Sequence, residues 1–266
     1  MLKNKSKKIV ILTGGLGFLG KEFTIELARN NFTPIIIDKK SLPEIKKFIK
    51  QIKSNFYVNI DGYSLDITKE NKVKEVSKKI LKKYKKIDIL INNAANNPIV
   101  TKSKNFPSNN NLEKLKLKNW EKDINVGLTG SFLASKYFGS IISKNPNGGS
   151  IINISSDLGL IAPDHRLYLK NQKKPITYSV VKTGILGLSK YLSTYWPKKV
   201  RSNAVCFGGV KNDQNSKFLK KVNKLIPLGR LAKPGEYNGV ITFLCSDNSS
   251  YLNGAVIPVD GGRTSW

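Results

Sequence analysis

Histidine and cysteine are nearly absent from this chain. Its 266 residues include one histidine, His165, and two cysteines, Cys206 and Cys245. A single histidine excludes a two-histidine metal centre, and a Ser-His-Asp triad would have to be built on that one residue. Two cysteines supply neither a disulfide framework nor a cysteine-rich zinc site, so no metal is expected. Acids are scarce as well: 18 Asp and Glu stand against 46 Lys and Arg, for a formal net charge of +28. No apolar run approaches the length needed to cross a membrane. Residues 1–8 are basic, but the apolar stretch 9–12 is far too short for a signal peptide. A cytoplasmic protein without a membrane partner is expected.

A positive balance of this size can mark binding to nucleic acid or to an anionic surface. Here the lysines are scattered over nearly every expected helix, as in EIKKFIKQIK and VKEVSKKILKKYKK, with no interleaved aromatics. That is the pattern of solvated helix faces, and no specific nucleic-acid partner is expected. The positive potential still favours phosphorylated or carboxylated substrates.

The rest of the chain alternates apolar runs with amphipathic stretches, the pattern of βα units around a parallel sheet. Strands are expected over 8–13, 33–37, 56–64, 87–91, 150–155, 200–206 and 256–259. Helices are expected over 17–30, 43–53, 69–85, 112–143 (broken once around 118–121), 177–194 and 234–246. Polar loops fall at 96–111 and 145–149. No repeat or linker divides the chain, so one α/β domain spans 1–266: a Rossmann-type, doubly wound, seven-stranded, mostly parallel sheet with helices on both faces. Ligands of such folds sit beyond the carboxyl ends of the strands, where strand order reverses.

The first strand runs directly into TGGLGFLG. Gly14 permits the tight turn, Gly17 lets the backbone approach a pyrophosphate, and Gly20 lets helix and strand pack closely. The helix that follows offers free N–H groups and a positive dipole end to phosphates. Asp38 ends the second strand, 24 residues after Gly14, where an acid binds the adenosine ribose hydroxyls. A carboxylate repels a 2′-phosphate, which favours NAD over NADP, although Lys39 and Lys40 follow immediately. Asp66 follows the third strand and NNAA, residues 92–95, the fourth. Asn93 either lines the cofactor site or ties neighbouring strand ends together.

Tyr178 and Lys182 are four residues apart on an expected helix and share one face. A cation beside a phenol favours the phenolate and lowers the tyrosine pKa, so that Tyr178 can exchange a proton with an alcohol or carbonyl. With ten tyrosines in a lysine-rich chain, the spacing alone proves little. It recurs at Tyr195 and Lys199, where the intervening Pro197 breaks the shared face.

In order, the glycine turn, Asp66, NNAA, INVG, IINISS, YSVVK, NAVCFGGV and VDGG resemble the short-chain dehydrogenase/reductase family over essentially the whole chain. The resemblance implies an oxidoreductase that moves a hydride between NAD or NADP and a hydroxyl or carbonyl. It implies Tyr178 as catalytic acid/base and Lys182 as the cation that lowers its pKa and binds the nicotinamide ribose. Ser156 would hydrogen-bond the substrate oxygen, and Asn125 would hold a water of the proton relay. Gly14, Gly17, Phe18, Leu19, Asp38, Asp66, Ile67, Asn93, Ala94, Gly208 and Val210 would join Tyr178 and Lys182 around the cofactor. The family's helices equivalent to those from Leu112 and Thr177 form dimer interfaces, so a homodimer or homotetramer is expected.

Three features depart from the classical branch. Phe18 stands where the middle glycine of the turn is usual, and the spacing Gly14-Gly17-Gly20 is typical of sugar-nucleotide epimerases and dehydratases. Phe207 stands where proline is common. Ser156 and Tyr178 are 22 residues apart, wider than in many members, and the extra length falls in an insertion over about 157–176. There Arg166 is a candidate clamp for phosphate or carboxylate, with His165 and Tyr168 as further substrate contacts. Lys170, Lys173 and Lys174 are either part of that surface or simply solvated. SDLGLIAP, PLGRLAKPGEY and VDGGRTSW resemble bacterial oxidoreductases of flagellin modification and surface polysaccharides. The expected substrate is therefore a sugar derivative, phosphorylated or nucleotide-linked, of cell-surface glycan biosynthesis. The alternatives are an epimerase or dehydratase that retains its NAD, and a non-catalytic dinucleotide sensor.

Overall fold

A computed structural model describes residues 7–54, 56, 58–96, 111–168 and 173–266. Strand β1 (Ile9–Thr13) is buried along its whole length, and its side chains divide by parity. Ile9 and Ile11 join one core, with Val73, Ile80, Phe138 and Leu192. Val10 and Leu12 join another, with Phe23, Leu27, Ile241 and Leu244. A strand buried on both faces needs no polar alternation, which is why this run is continuously apolar. β2 (Thr33–Asp38), β3 (Asp61–Ser64), β4 (Ile89–Asn92), β5 (Gly149–Ser156), β6 (Val200–Phe207) and β7 (Val256–Val259) complete one sheet in the order β3-β2-β1-β4-β5-β6-β7. All six pairings are parallel. Strand order reverses between β1 and β4, placing the crevice at the end of β1.

Helices cover both faces. α1 (Phe18–Arg29) and α9 (Asn238–Cys245) pack on one side. α3 (Glu70–Tyr84) and the long α7 (Ile176–Tyr195) pack on the other. α2 (Leu42–Lys53) starts at a capping box: Glu44 N–H donates to Ser41 Oγ, and Ser41 N–H donates back to Glu44. That reciprocal pair satisfies two otherwise unpaired donors at the helix start.

Several boundaries differ from expectation. β3 starts at Asp61, because Phe56 N–H still bonds to Ile52 O and continues the end of α2. The helix expected over 112–143 breaks before 118–121, where Leu115 and Lys116 are extended between a 3-10 turn (Leu112–Lys114) and α4 (Leu117–Ile124). It then runs on through α5 (Gly130–Ala134) and α6 (Ser140–Ile142), joined by π turns at Asn125–Thr129 and Ser135–Gly139. α9 is shorter than 234–246 because Gly235, at φ +87°, holds a non-helical turn ahead of it. An eighth helix, α8 (Ser216–Asn223), was not expected; it is capped by Asn215, whose Oδ1 accepts from Phe218 N–H at 2.8 Å. Most of the expected loop 96–111 lies outside the described residues, as does Lys170. Among the described residues, no helix is long and apolar enough to cross a membrane, and no group of histidine, cysteine and acidic residues could hold a metal.

Candidate active site

A cleft of ≈ 540 Å³ crosses the carboxyl ends of β1 to β6, within the usual range for ligand pockets. One end is built by the glycine turn. Gly14 has φ +67°, and a Cβ there would lie 2.9 Å from the Ala94 backbone. A Cβ on Gly20 would lie 2.1 Å from Gly14 O, so glycine is the residue that allows α1 to pack against the turn. Gly17 precedes α1, which has neither a side-chain cap nor an acid in its first turn. Its first N–H groups are left for an anion. Asp38 Oδ2 accepts from Leu16 N–H at 2.9 Å and Oδ1 from Lys40 N–H at 3.1 Å, which fixes the carboxylate at the cleft wall. These residues fit a dinucleotide: a phosphate cradle at Gly14–Leu19 and an acid for a ribose at Asp38.

Asn93 serves as a tie: its Nδ2 donates to Thr13 O and Gly14 O at 3.0 and 3.1 Å, joining β4 to β1, and it also lines the cleft. Ala94, Asp66 and Ile67 line it too. Asp66 turns its Oδ1 to the Thr68 N–H and hydroxyl at 2.9 and 2.7 Å. Phe18, 40% exposed, sits at the mouth beside Gly17 and Leu19. At the far side Gly208 approaches Asp260 so closely that a Cβ would lie 2.8 Å from its Cα. Phe207 is buried and stacks on Tyr237 at 4.1 Å, and the Tyr237 hydroxyl donates to Gly208 O at 2.8 Å. An aromatic stack thus holds the loop where a proline ring would otherwise stiffen it. Val210 O accepts from Gln214 Nε2 at 2.8 Å.

The other end carries Ser156, at the end of β5, with Tyr178 and Lys182 on one face of α7; all three line the cleft. Ser156 Oγ donates to Asp157 Oδ1 at 2.7 Å. Lys182 is 6% exposed, and its Nζ donates to Ile154 O at 2.8 Å. That bond holds the ammonium 5.8 Å from the Tyr178 ring centroid. Burial pushes Lys182 down to about 8. The expected lowering of Tyr178 is not found in the protein alone. Burial dominates and lifts it to about 12, with the contact to Ser156 pulling the other way.

Among the remaining candidates, Tyr168 lines the cleft, but His165 and Arg166 do not. Arg166 is exposed and makes a bidentate pair with Asp164, Nε to Oδ1 and Nη2 to Oδ2 at 2.9 Å each. Asn125 is exposed on the first π turn, and its Oδ1 accepts from the Thr129 hydroxyl at 3.4 Å. Its neighbours lie nearer the chemistry: Val126 lines the cleft, and Gly127 lines a cavity of ≈ 10 Å³ behind Tyr178 and Lys182. Sequence reasoning missed two groups, Asp157 and Arg263, and left Lys174 open between the substrate surface and solvent. Asp157 is half-buried beside Ser156. Arg263 lines the cleft after β7. Lys174 places its Nζ 3.8 Å from the Tyr178 ring centroid. The helix α8, whose Phe218 and Val222 close the cleft, had a legible signal in its Asn215 cap and its i, i+4 apolar pair.

The family model for enoyl-(acyl carrier protein) reductase matches residues 19–264. The 3-oxoacyl-[acyl-carrier-protein] reductase FabG of Thermotoga maritima is 32% identical over 262 residues, covering 96% of this chain and 97% of that one. A short-chain dehydrogenase of Leptospira borgpetersenii, solved with bound NAD+, superposes with a TM-score of 0.83 at 28% identity, covering 99% of this chain and 97% of the other. ElxO with NADP bound superposes with a TM-score of 0.83 at 27% identity, covering 98% and 100%.

Proposed function

The chain belongs to the short-chain dehydrogenase/reductase family, oxidoreductases of CH–OH and C=O groups that use NAD or NADP, and from that premise we propose its substrate and the roles of its residues. It acts on a small polyhydroxylated molecule, a sugar derivative of cell-surface glycan biosynthesis, with NAD preferred, in the cytoplasm. The observation that carries the catalytic roles is the convergence of Ser156, Tyr178 and Lys182 at one end of the cleft. The sugar class is supported by the resemblance of SDLGLIAP and VDGGRTSW to glycan oxidoreductases and by the widened wall after Ser156.

When bound, the nicotinamide supplies or accepts the hydride. Gly14, Gly17, Phe18, Leu19, Asp38, Asp66, Ile67, Asn93, Ala94, Gly208 and Val210 hold the dinucleotide together with Tyr178 and Lys182. Tyr178 moves the proton of the reacting oxygen as general acid or base. Ser156, held by its hydrogen bond to Asp157 and in contact with Tyr178, positions the reacting oxygen so that its proton passes to or from Tyr178. Lys182, tethered to Ile154 O, is a fixed cation whose charge favours Tyr178 phenolate against the burial that opposes it. Asn125 shapes the π turn whose Gly127 lines the cavity behind them.

We place the enzyme in a homodimer or homotetramer. Support comes from exposed apolar side chains on the helices expected at such interfaces: Leu117 (69%), Phe132 (49%), Tyr191 (62%) and Tyr195 (55%).

The glycine spacing favours one second reading, an epimerase or dehydratase that retains NAD. A panel of polyols, sugars and nucleotide sugars assayed for net NADH formation separates the two. The dehydrogenase accumulates reduced cofactor in proportion to product, whereas the alternative converts substrate with none.

A further inference from the structure

Tyr178 is the third residue of α7, and the first turn of a helix is its weakest part, because the opening N–H groups have no partner inside the helix. This helix begins with little help of its own. Pro175 at its cap makes no side-chain bond, and its first turn holds no acid. Lys182, one turn further on, is tied to the sheet through Ile154 O. The turn that carries Tyr178 is held instead through the residue before it.

Thr177 is wholly buried, and its hydroxyl donates to Asp123 Oδ2 at 2.6 Å. Asp123 stands near the end of α4, which packs against α7. Its other oxygen, Oδ1, accepts from Asn96 Nδ2 at 3.0 Å. Asn96 follows directly on NNAA, the stretch after β4 whose Asn93 is bonded to Thr13 O and Gly14 O. One half-buried carboxylate thus joins the end of α4, the turn on the cofactor side of the cleft and the first turn of α7. Hydrogen bonds to a carboxylate are roughly twice as strong as those between neutral groups.

The space around this junction is tight. Asp123, Asn96 and Thr177 form the polar side of the ≈ 10 Å³ cavity behind Tyr178 and Lys182, room for about one water. Gly127 brings the π turn up to α7, since a Cβ there would overlap Val181. Bonded on both oxygens in so small a space, the carboxylate is a fixed strut. Neither Asp123 nor Thr177 lines the cleft, so neither meets the substrate.

We infer that Asp123 is a positioning residue for Tyr178. Through Thr177 it sets the first turn of α7, and through Asn96 it ties that setting to the cofactor-side turn, so that the phenol and the dinucleotide keep one register. The assignment rests on the reading of Tyr178 as the proton carrier.

The test uses the full-length enzyme in two arms. In the kinetic arm Thr177→Val, which keeps the shape and removes the donor, is compared with Thr177→Ser, which keeps the hydroxyl, and with Asp123→Ala. Rates are expressed per NADH-binding site, so that any loss of folded protein drops out. Thr177→Val is expected to lose about tenfold or more in kcat, with KM and NADH binding within about twofold of the parent, because a misplaced proton carrier affects the chemical step. Thr177→Ser should return most of the rate. Adding Thr177→Val to Asp123→Ala should cost little more than Asp123→Ala alone. A parent kcat in Thr177→Val overturns the assignment. So does a loss that Thr177→Ser does not restore, and so do losses that add in the double variant.

The second arm needs no turnover. Amide hydrogen exchange with NADH bound is read over residues 178–182 and over the rest of α7. Exchange in the first stretch should quicken about tenfold or more in Thr177→Val and in Asp123→Ala, and stay at the parent rate beyond it. Unchanged exchange there, or quickening spread over the whole helix, overturns the strut even if no compound of the panel reacts. Failure of the catalytic reading looks different. Tyr178→Phe would then work at the parent rate, which removes that reading and the positioning role with it, while the exchange difference would still report the brace.

Discussion

Ser156 gives its hydroxyl proton to a carboxylate: Oγ donates to Asp157 Oδ1 at 2.7 Å, while the Leu158 N–H donates to both side chains, at 3.2 and 2.8 Å. The two side chains therefore form one hydrogen-bonded unit, with Asp157 fixing the orientation of the Ser156 hydroxyl at the cleft. Residues in one network are non-additive. Asp157→Ala and Ser156→Ala are each expected to lower kcat/KM for alcohol oxidation about tenfold or more. The double variant should be little worse than Ser156→Ala alone. A double-mutant cycle measures this, and strictly additive losses would show that the pair does not work together.

Asp38 is held at the cleft wall by Leu16 and Lys40 N–H groups, with Lys39 and Lys40 beside it. NADH should bind more tightly than NADPH, because a 2′-phosphate would face this carboxylate. Removing the charge in Asp38→Ser should reverse the order by about tenfold or more, since the lysines then meet the phosphate unopposed. Titration of nicotinamide fluorescence reads both constants. Equal binding of the two cofactors by the parent enzyme would contradict the assignment.

At Gly20, an added Cβ meets backbone, Gly14 O at 2.1 Å and Gly15 Cα at 2.8 Å, and no flexible side chain can yield. Gly20→Ala should destabilise the fold by about 1–3 kcal/mol and weaken NADH binding, because the phosphate turn itself must move. Urea melts and the same fluorescence titration check the two effects together. Normal stability with normal binding would mean that the turn is looser than described.

Lys174 carries a pH-dependent cost. Burial takes its pKa from 10.5 to about 8. Between those values the unfolded chain holds the proton and the folded chain does not, so this group makes stability rise with pH across that window. Below pH 8 both states are protonated, and the buried charge exerts its full penalty. Lys174→Met should therefore be more stable than the parent at pH 7 by on the order of 1 kcal/mol. The gap should close as the pH approaches 10.5. Urea melts at a series of pH values follow it, and a variant less stable at pH 7 would contradict the sign.

What the sequence disclosed depended on the range over which each feature is decided. The glycine turn, Asp38 and the Tyr178–Lys182 face are fixed by residues within a few turns of one another, and each lies where its spacing put it. Continuous apolar runs such as 9–12 and 35–37 marked strands buried on both faces, and the sheet is parallel throughout. Charges in the segment after Ser156 were harder, because their direction depends on the path of an irregular chain. Arg166 is neutralised two residues away by Asp164, whereas Lys174 folds back over Tyr178. The sign of the Tyr178 shift was likewise hidden. Spacing reported a nearby cation, but the burial that outweighs it comes from the packing around the cleft.

The central claim is that Tyr178 moves the proton while hydride passes at the same carbon. The most direct measurement is the rate of NADH formation by Tyr178→Phe with the best substrate of the panel, alongside NADH binding read by fluorescence. The account predicts a loss of about 10²–10⁴-fold in kcat with the cofactor still bound. A Tyr178→Phe enzyme that turns over at the parent rate would contradict it.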